Sequence, residues 1–140
     1  MSDAENPPSI PTEQLLGGVH DVLDISVVEF SKDRVVLSLP VGPKVHQPFG
    51  LLHGGVSALL AESAASMGGS LNVEAGQGIV GIEINASHLR GIAEGTLIAT
   101  ATPVRIGRTV HVWRIELTDE SGRGICDARC TLAVIQAPTS

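Results

Sequence analysis

From Val110 to Thr118 the chain alternates. Trp113, Ile115 and Leu117 fall on one side; Arg114, Glu116 and Thr118 fall on the other. A two-residue period marks a strand with one buried face. Around it, Gly78–Leu89, Gly95–Val104 and Gly124–Ile135 read as three more strands. The breaks between them are Gly91-Ile92-Ala93-Glu94, Ile106-Gly107-Arg108 and Asp119-Glu120-Ser121-Gly122. Breaks this short predict that sequence neighbours pair antiparallel. Upstream, Val19–Phe30 and Arg34–Leu39 are rich in β-branched residues and flank Ser31-Lys32-Asp33, which predicts a hairpin. Thr12-Glu13-Gln14-Leu15-Leu16 predicts a short helix capped by Thr12 and ended by Gly17-Gly18.

Between the hairpin and the last four strands the period changes. Pro40-Val41-Gly42-Pro43 opens a loop that runs to about Leu52, and Gly54 to Leu71 then reads as one long helix of small and apolar residues. The order is two strands, one helix, four strands. An antiparallel sheet must cover its apolar face, and this helix is the one candidate. The expected class is α+β, with the sheet wrapped on one long central helix. The Gly, Ala and Ser residues of that helix would let the two backbones approach closely.

The length of 140 residues predicts a single domain, 12–140, after a polar tail, 1–11, that carries Pro7, Pro8 and Pro11. The tail has no basic start and no apolar stretch, so it does not read as a signal peptide. No apolar run approaches the roughly 18 residues of a membrane span. Hydrophobic residues make up 43%, yet the only aromatics are two Phe and one Trp. Aliphatic side chains must therefore fill the core. A net charge of −6 argues against general nucleic-acid binding. Six of the seven Arg nevertheless lie at or beyond position 90: Arg90, Arg105, Arg108, Arg114, Arg123 and Arg129. They are either solvated strand faces or a local basic patch. Cys126 and Cys130, four apart in a strand, are too far along it to bridge easily and read as buried thiols in a reducing cytoplasm. Neither Cys nor His shows zinc spacing, so no metal site is expected.

One residue breaks the pattern of the helix. Glu62 is its only charge, and no Lys or Arg lies between Lys44 and Arg90 to offset it locally. A carboxylate in an apolar setting costs several kcal/mol unless compensated, so Glu62 is either paired over long range or kept for chemistry. Ala58, Glu62 and Ser66 share one helical stripe. A small-lined stripe with a carboxylate and a hydroxyl is a plausible reaction site; alternatively, Ser66 only bonds back to the Glu62 carbonyl. The entry His53-Gly54-Gly55 supplies helix N–H groups with no internal partner, which can stabilise an oxyanion, or it is simply a turn. Gln47 can donate to a carbonyl or orient a water. His53 holds the loop or transfers a proton. There is no G-x-S-x-G turn, phosphate loop or dinucleotide fingerprint.

The segment Gln47-Pro48-Phe49-Gly50-Leu51-Leu52-His53-Gly54-Gly55, with Ala61-Glu62-Ser63 and Gly81-Ile82-Glu83-Ile84-Asn85-Ala86-Ser87-His88-Leu89-Arg90, resembles the hotdog-fold acyl-CoA thioesterases. The similarity spans about 17–135. It is strongest to the branch of 1,4-dihydroxy-2-naphthoyl-CoA hydrolysis and enterobactin proofreading, with the glutamate-type 4-hydroxybenzoyl-CoA thioesterases more distant. The resemblance implies hydrolysis of an aromatic acyl-CoA, without a cofactor, by a homo-oligomer built as a dimer of dimers. It implies Glu62 as the catalytic carboxylate, attacking the thioester or activating water. Gly54 would polarise the carbonyl, Gln47 and His53 would position the thioester, and Ser66 would orient water or Glu62. The site would lie between subunits. Val80, Gly81 and Ile82 would flank the pantetheine arm, and His88, Arg90, Arg108 and Thr109 the nucleotide end. Three rivals remain at this level: a proofreading enzyme for aryl groups misloaded on a carrier protein, a non-catalytic acyl-CoA binding domain and a hotdog dehydratase. The presence of Glu62 weighs against the binding domain, and the motif favours hydrolysis over dehydration.

Overall fold

The computed structural model describes residues 17–137; the tail and the short helix expected at Thr12–Leu16 lie outside them. The elements are α1 (Val19–Val22), β1 (Ser26–Ser31), β2 (Arg34–Val41), a 3-10 turn at Pro43–Val45, α2 (Gly54–Ser70), β3 (Gln77–His88), β4 (Gly95–Ile106), β5 (Val110–Thr118) and β6 (Gly124–Gln136). The six strands form one antiparallel sheet in the order β1-β2-β4-β5-β6-β3. The helix α2 lies across its inner face, as the apolar pattern required.

Two expectations need correction. Val19–Phe30 is not one strand. Its first residues make a helical turn, with the Val22 and Leu23 N–H groups donating to Gly18 and Val19 carbonyls at 3.1 and 3.0 Å. Gly18 and Asp24 bracket that turn at φ 62° and 56°. Positive φ breaks an extended run, and Asp is among the few side chains that tolerate it. The turn sets His20 Nε2 on Ser63 Oγ of α2 at 2.8 Å. Second, β3 and β4 are sequence neighbours but do not pair. β3 lies outside β6, and β4 joins β2. The six residues between them, extended, reach about 20 Å, which exceeds the three strand spacings, about 14 Å, that separate β3 from β4. The connection is short in residues yet long enough to cross the end of the sheet.

The close approach expected of α2 occurs near its C-terminal end. A Cβ on Gly68 would collide with the Trp113 ring, and one on Gly69 would come 2.7 Å from Leu132 Cδ1. Trp113, Ile115 and Leu117, the inward side of the alternating strand, are fully buried. On the outward side, Arg114 pairs with Glu116 and Asp127 at 3.0 and 3.1 Å. Arg123 pairs with Asp119 at 3.0 Å in the β5–β6 turn. These exposed pairs add little stability, and they take two of the six late arginines out of any free basic patch. Cys126 and Cys130 are buried free thiols.

His111 also faces inward from β5 and is 0% exposed, with neither ring nitrogen hydrogen-bonded among the described residues. Ile106 and Leu132 are its cross-strand partners, and Gly69 of α2 lies over it. Burial lowers its pKa from the usual 6.5. The unfolded chain therefore takes up this proton at a higher pH than the folded one. Stability attributable to His111 is complete above about pH 6.5 and is lost as the pH falls below it. Calorimetry at pH 7.5 and 5.5 should show the wild-type Tm dropping further than that of His111→Leu. Equal drops would show that His111 is protonated in the fold at no cost.

Candidate active site

The loop before α2 is held by the side chain that opens it. The Gln47 N–H donates to the Leu51 carbonyl at 2.7 Å, and the Gln47 carbonyl accepts from Gly50 N–H at 3.0 Å. Its side-chain Oε1 accepts from the Phe49 N–H at 2.5 Å. With Oε1 committed to the loop, the Gln47 NH2 is the end left to meet a ligand. The loop is fastened to the β3–β4 connection by Leu52 N–H donating to the Ile92 carbonyl at 2.8 Å and by His46 Nε2 on the Ala93 carbonyl at 2.7 Å.

His53 is the N-cap of α2. Its Nδ1 accepts from the Gly55 N–H at 2.8 Å, and its carbonyl accepts from the Val56 N–H at 2.9 Å. An accepting Nδ1 carries no proton, so the neutral ring holds its proton on Nε2. Through Nδ1, His53 thus fixes the start of α2. The cap also has a consequence next door. The Gly55 and Val56 donors are used, whereas the Gly54 N–H has no partner among the described residues. Gly54 opens onto a cleft of about 380 Å³, lined by Gln47, Gly54, Ser57, His88, Arg90 and Ile92 among others. A helix N–H at the positive end of the dipole, in one cleft with an amide NH2, suits a developing oxyanion.

Glu62 lies eight residues further along α2, about 12 Å up the axis. It is half-buried, and among the described residues it has no ion pair or hydrogen bond. Its carboxylate rests on β3: a Cβ on Gly81 would come 2.6 Å from Glu62 Oε2. The register of β3 on β6 shifts at this point, between Gly81 and Glu83. Below it lies Cys130, whose thiol is pushed up to about 12 by burial first and then by the negative charges of Glu62 and Glu83. Ala58 and Ser66, the other members of the stripe, are half-buried like Glu62. Ser66 makes no bond to the Glu62 carbonyl among the described residues; the back-bond of this helix is Ser70 Oγ to the Met67 carbonyl, 2.6 Å.

A single chain does not assemble all of the expected residues. Gln47, Gly54, His88 and Arg90 share the cleft at one end of β3, while Glu62 and Gly81 sit further along. Arg108 and Thr109 occupy the β4–β5 turn at the far end, where the Thr109 carbonyl accepts from Val134 N–H at 2.9 Å. Val80 is close to that end, since Ala133 pairs with both Val80 and Val110. His88 and Arg90 are thus separated from Arg108 and Thr109 by most of β3. Ser57, buried at the floor of the cleft, carried no signal in the sequence beyond a hydroxyl in the first turn of an apolar helix. Among the described residues no three His, Cys, Asp or Glu side chains come together as a metal site needs.

Residues 49–126 match the family model described as the thioesterase superfamily. This chain belongs to that superfamily. It is 45% identical over 117 residues to the 1,4-dihydroxy-2-naphthoyl-CoA hydrolase of Listeria monocytogenes, covering 84% of this chain and 95% of the relative. It is 41% identical to a proofreading thioesterase of Cronobacter turicensis, over 86% of this chain and 88% of the relative. The crystal structure of a thioesterase from Haemophilus influenzae superposes with a TM-score of 0.84 at 41% identity, covering 89% and 88% of the two chains. The six-stranded sheet on one helix is accordingly the hotdog thioesterase fold, and the chain is a thioester hydrolase.

For this thioesterase the contact between Gly81 and Glu62 carries a specific expectation. Gly81→Ala must displace the carboxylate, since the added carbon meets Oε2 before anything else. Steady-state kinetics should show kcat down about 10- to 100-fold, the usual effect of an ångström-scale misplacement, with KM and Tm little changed. An unaltered kcat would mean that Glu62 need not occupy this position.

Proposed function

We propose that this thioesterase hydrolyses an aromatic acyl-CoA of the hydroxybenzoyl or dihydroxynaphthoyl type to the free acid and CoA, with Glu62 as the catalytic carboxylate. The observation that carries the proposal is the Glu62 side chain itself, without a cationic partner among the described residues and set on Gly81 at the open stripe of α2. Glu62 either attacks the carbonyl carbon, giving an anhydride that water then opens, or takes a proton from the attacking water. Neither route needs a group beyond these side chains and water. The Gly54 N–H receives the negative charge that builds on the carbonyl oxygen, with the Gln47 NH2 lining the same cleft and His53 fixing the helix start through its cap on Gly55. Ser66, one turn beyond Glu62, orients the water or the carboxylate.

The working unit we infer is a dimer, assembled further into a tetramer as a dimer of dimers. In one chain Glu62 stands apart from the Gln47–Gly54 cleft. β3 is also a free twelve-residue edge bearing Val80 and Ile82 at 40% and 60% exposure, and such an edge invites a strand partner. Antiparallel pairing of two β3 edges swings the cleft of one copy toward the Glu62 end of the other. Val80, Gly81 and Ile82 then flank the pantetheine arm, with Arg90, Arg108 and Thr109 left for the phosphates of the nucleotide. No described helix is long and apolar enough to cross a membrane, and the two free buried thiols agree with a reducing cytoplasm. The relative named as a proofreading thioesterase favours a second reading, release of aryl groups misloaded on a carrier protein. Both substrates end in the same phosphopantetheine, so kinetics on CoA-bound against carrier-bound aryl groups separates them.

Thiol release should be faster from benzoyl- or naphthoyl-CoA than from acetyl-CoA by at least about tenfold in kcat/KM, equivalent to roughly 1.4 kcal/mol. A better acetyl or long-chain substrate would remove the aromatic assignment. Glu62→Gln should lose at least about 100-fold in kcat while keeping its fold. Mixing it with inactive Gln47→Ala chains should restore part of the activity, because a mixed dimer holds one intact site. No recovery after confirmed subunit exchange would confine the site to one chain.

A further inference from the structure

The imidazole of His88 lies beside the start of α2, well away from the β4–β5 turn that carries Arg108 and Thr109. His88 is the last residue of β3, opposite Cys126 of β6. Cys126 is buried under the helix, so His88 belongs to the same inner face and turns toward the start of α2. Its ring meets Gly54 edge-on: a Cβ on Gly54 would come 2.7 Å from His88 Nε2 and 2.9 Å from Cε1. Both line the cleft with Gln47. The ring is exposed and forms no hydrogen bond among the described residues.

The geometry points to His88 as a further catalytic residue, the acid that protonates the departing thiolate. This rests on the thioester reading of the cleft. A carbonyl oxygen on the Gly54 N–H places the carbonyl carbon, and the sulfur bonded to it, beside Gly54, within reach of His88 Nε2. When the carbon–sulfur bond breaks, its electron pair leaves on sulfur. The Nε2 proton of the imidazolium passes to that sulfur and yields the neutral thiol. The neutral imidazole then regains a proton from water, which reaches it because the ring is exposed. Histidine is the side chain suited to holding and releasing a proton near neutrality. His53 cannot take this part through Nδ1, which is spent on the Gly55 N–H.

Three thioesters of one aryl acid separate this role from a contact to the nucleotide. The first is the CoA ester. The second is the N-acetylcysteamine ester, which keeps an alkyl thiol but has no phosphate. The third is the 4-nitrothiophenyl ester, whose thiolate is stable enough to leave unprotonated. The readout is kcat/KM, which covers the steps through thiol release, for wild type, His88→Gln and His88→Ala. The expected result is a loss of at least about tenfold in both variants on the first two esters alike, shrinking to less than about threefold on the nitrothiophenyl ester. A loss confined to the CoA ester would make His88 a phosphate contact, and an equal loss on all three would make it a structural support; either result overturns the proposal. Wild-type protein inert toward all three esters would instead defeat the thioesterase reading of the cleft, an outcome distinct from either of these.

Discussion

The structure depends on how closely the backbone of α2 can approach the sheet. Gly68 and Gly69 present no side chain where the Trp113 ring and Leu132 press against the helix. A helix with ordinary side chains at these positions would stand off, and the apolar face of the sheet would lose its cover. The same intimacy operates at Gly81, this time from the strand side, where it makes room for the Glu62 carboxylate. Packing and chemistry thus use one device, the removal of a Cβ at a contact between layers. Protein interiors tolerate little excess volume, so these positions are as restrictive as any catalytic group.

Charge is handled differently at the start and in the middle of α2. At its start, His53 takes the Gly55 and Val56 N–H groups, while the Gly54 N–H has no partner among the described residues. Eight residues later the Glu62 carboxylate is half-buried, with no cation on it among the described residues. In the proposed reaction both groups meet their partners only when a polarised carbonyl and an electrophilic carbon arrive, and such a difference between resting and reacting states is what accelerates a reaction.

Much of this was legible in the sequence because it is local. The alternation at Trp113, Ile115 and Leu117 fixes a strand and its inner face, and Glu62 stands out as the one charge in a helix of small residues. The hidden features are those that depend on distance through space. Nothing in Leu89–Glu94 shows that the chain crosses the sheet end instead of turning back, because a six-residue break serves either course. The helical turn at Val19–Val22 opposes its own β-branched composition and is held by Gly18 and Asp24. His88 and Gly54 are separated by 34 positions in the chain, so their contact has no sequence signature; the family motif grouped His88 with the nucleotide, and the fold sets it at the helix start. Ser57 was hidden for the opposite reason, being local but indistinguishable from other small helix residues.

The state of the two cysteines has a practical side. Cys130 is buried, and its thiol is raised to about 12 by burial and by the charges of Glu62 and Glu83; Cys126 is buried and raised as well, by burial first and then by Asp127. Disulfide-exchange dyes react with thiolates that they can reach, and these sulfurs are neither ionised nor reachable while the protein is folded. A chromogenic thiol assay therefore reads the released product against a silent enzyme. The same dye, added without substrate, reports only molecules that have lost their fold, which turns two inert core residues into a built-in gauge of how much of a preparation is intact.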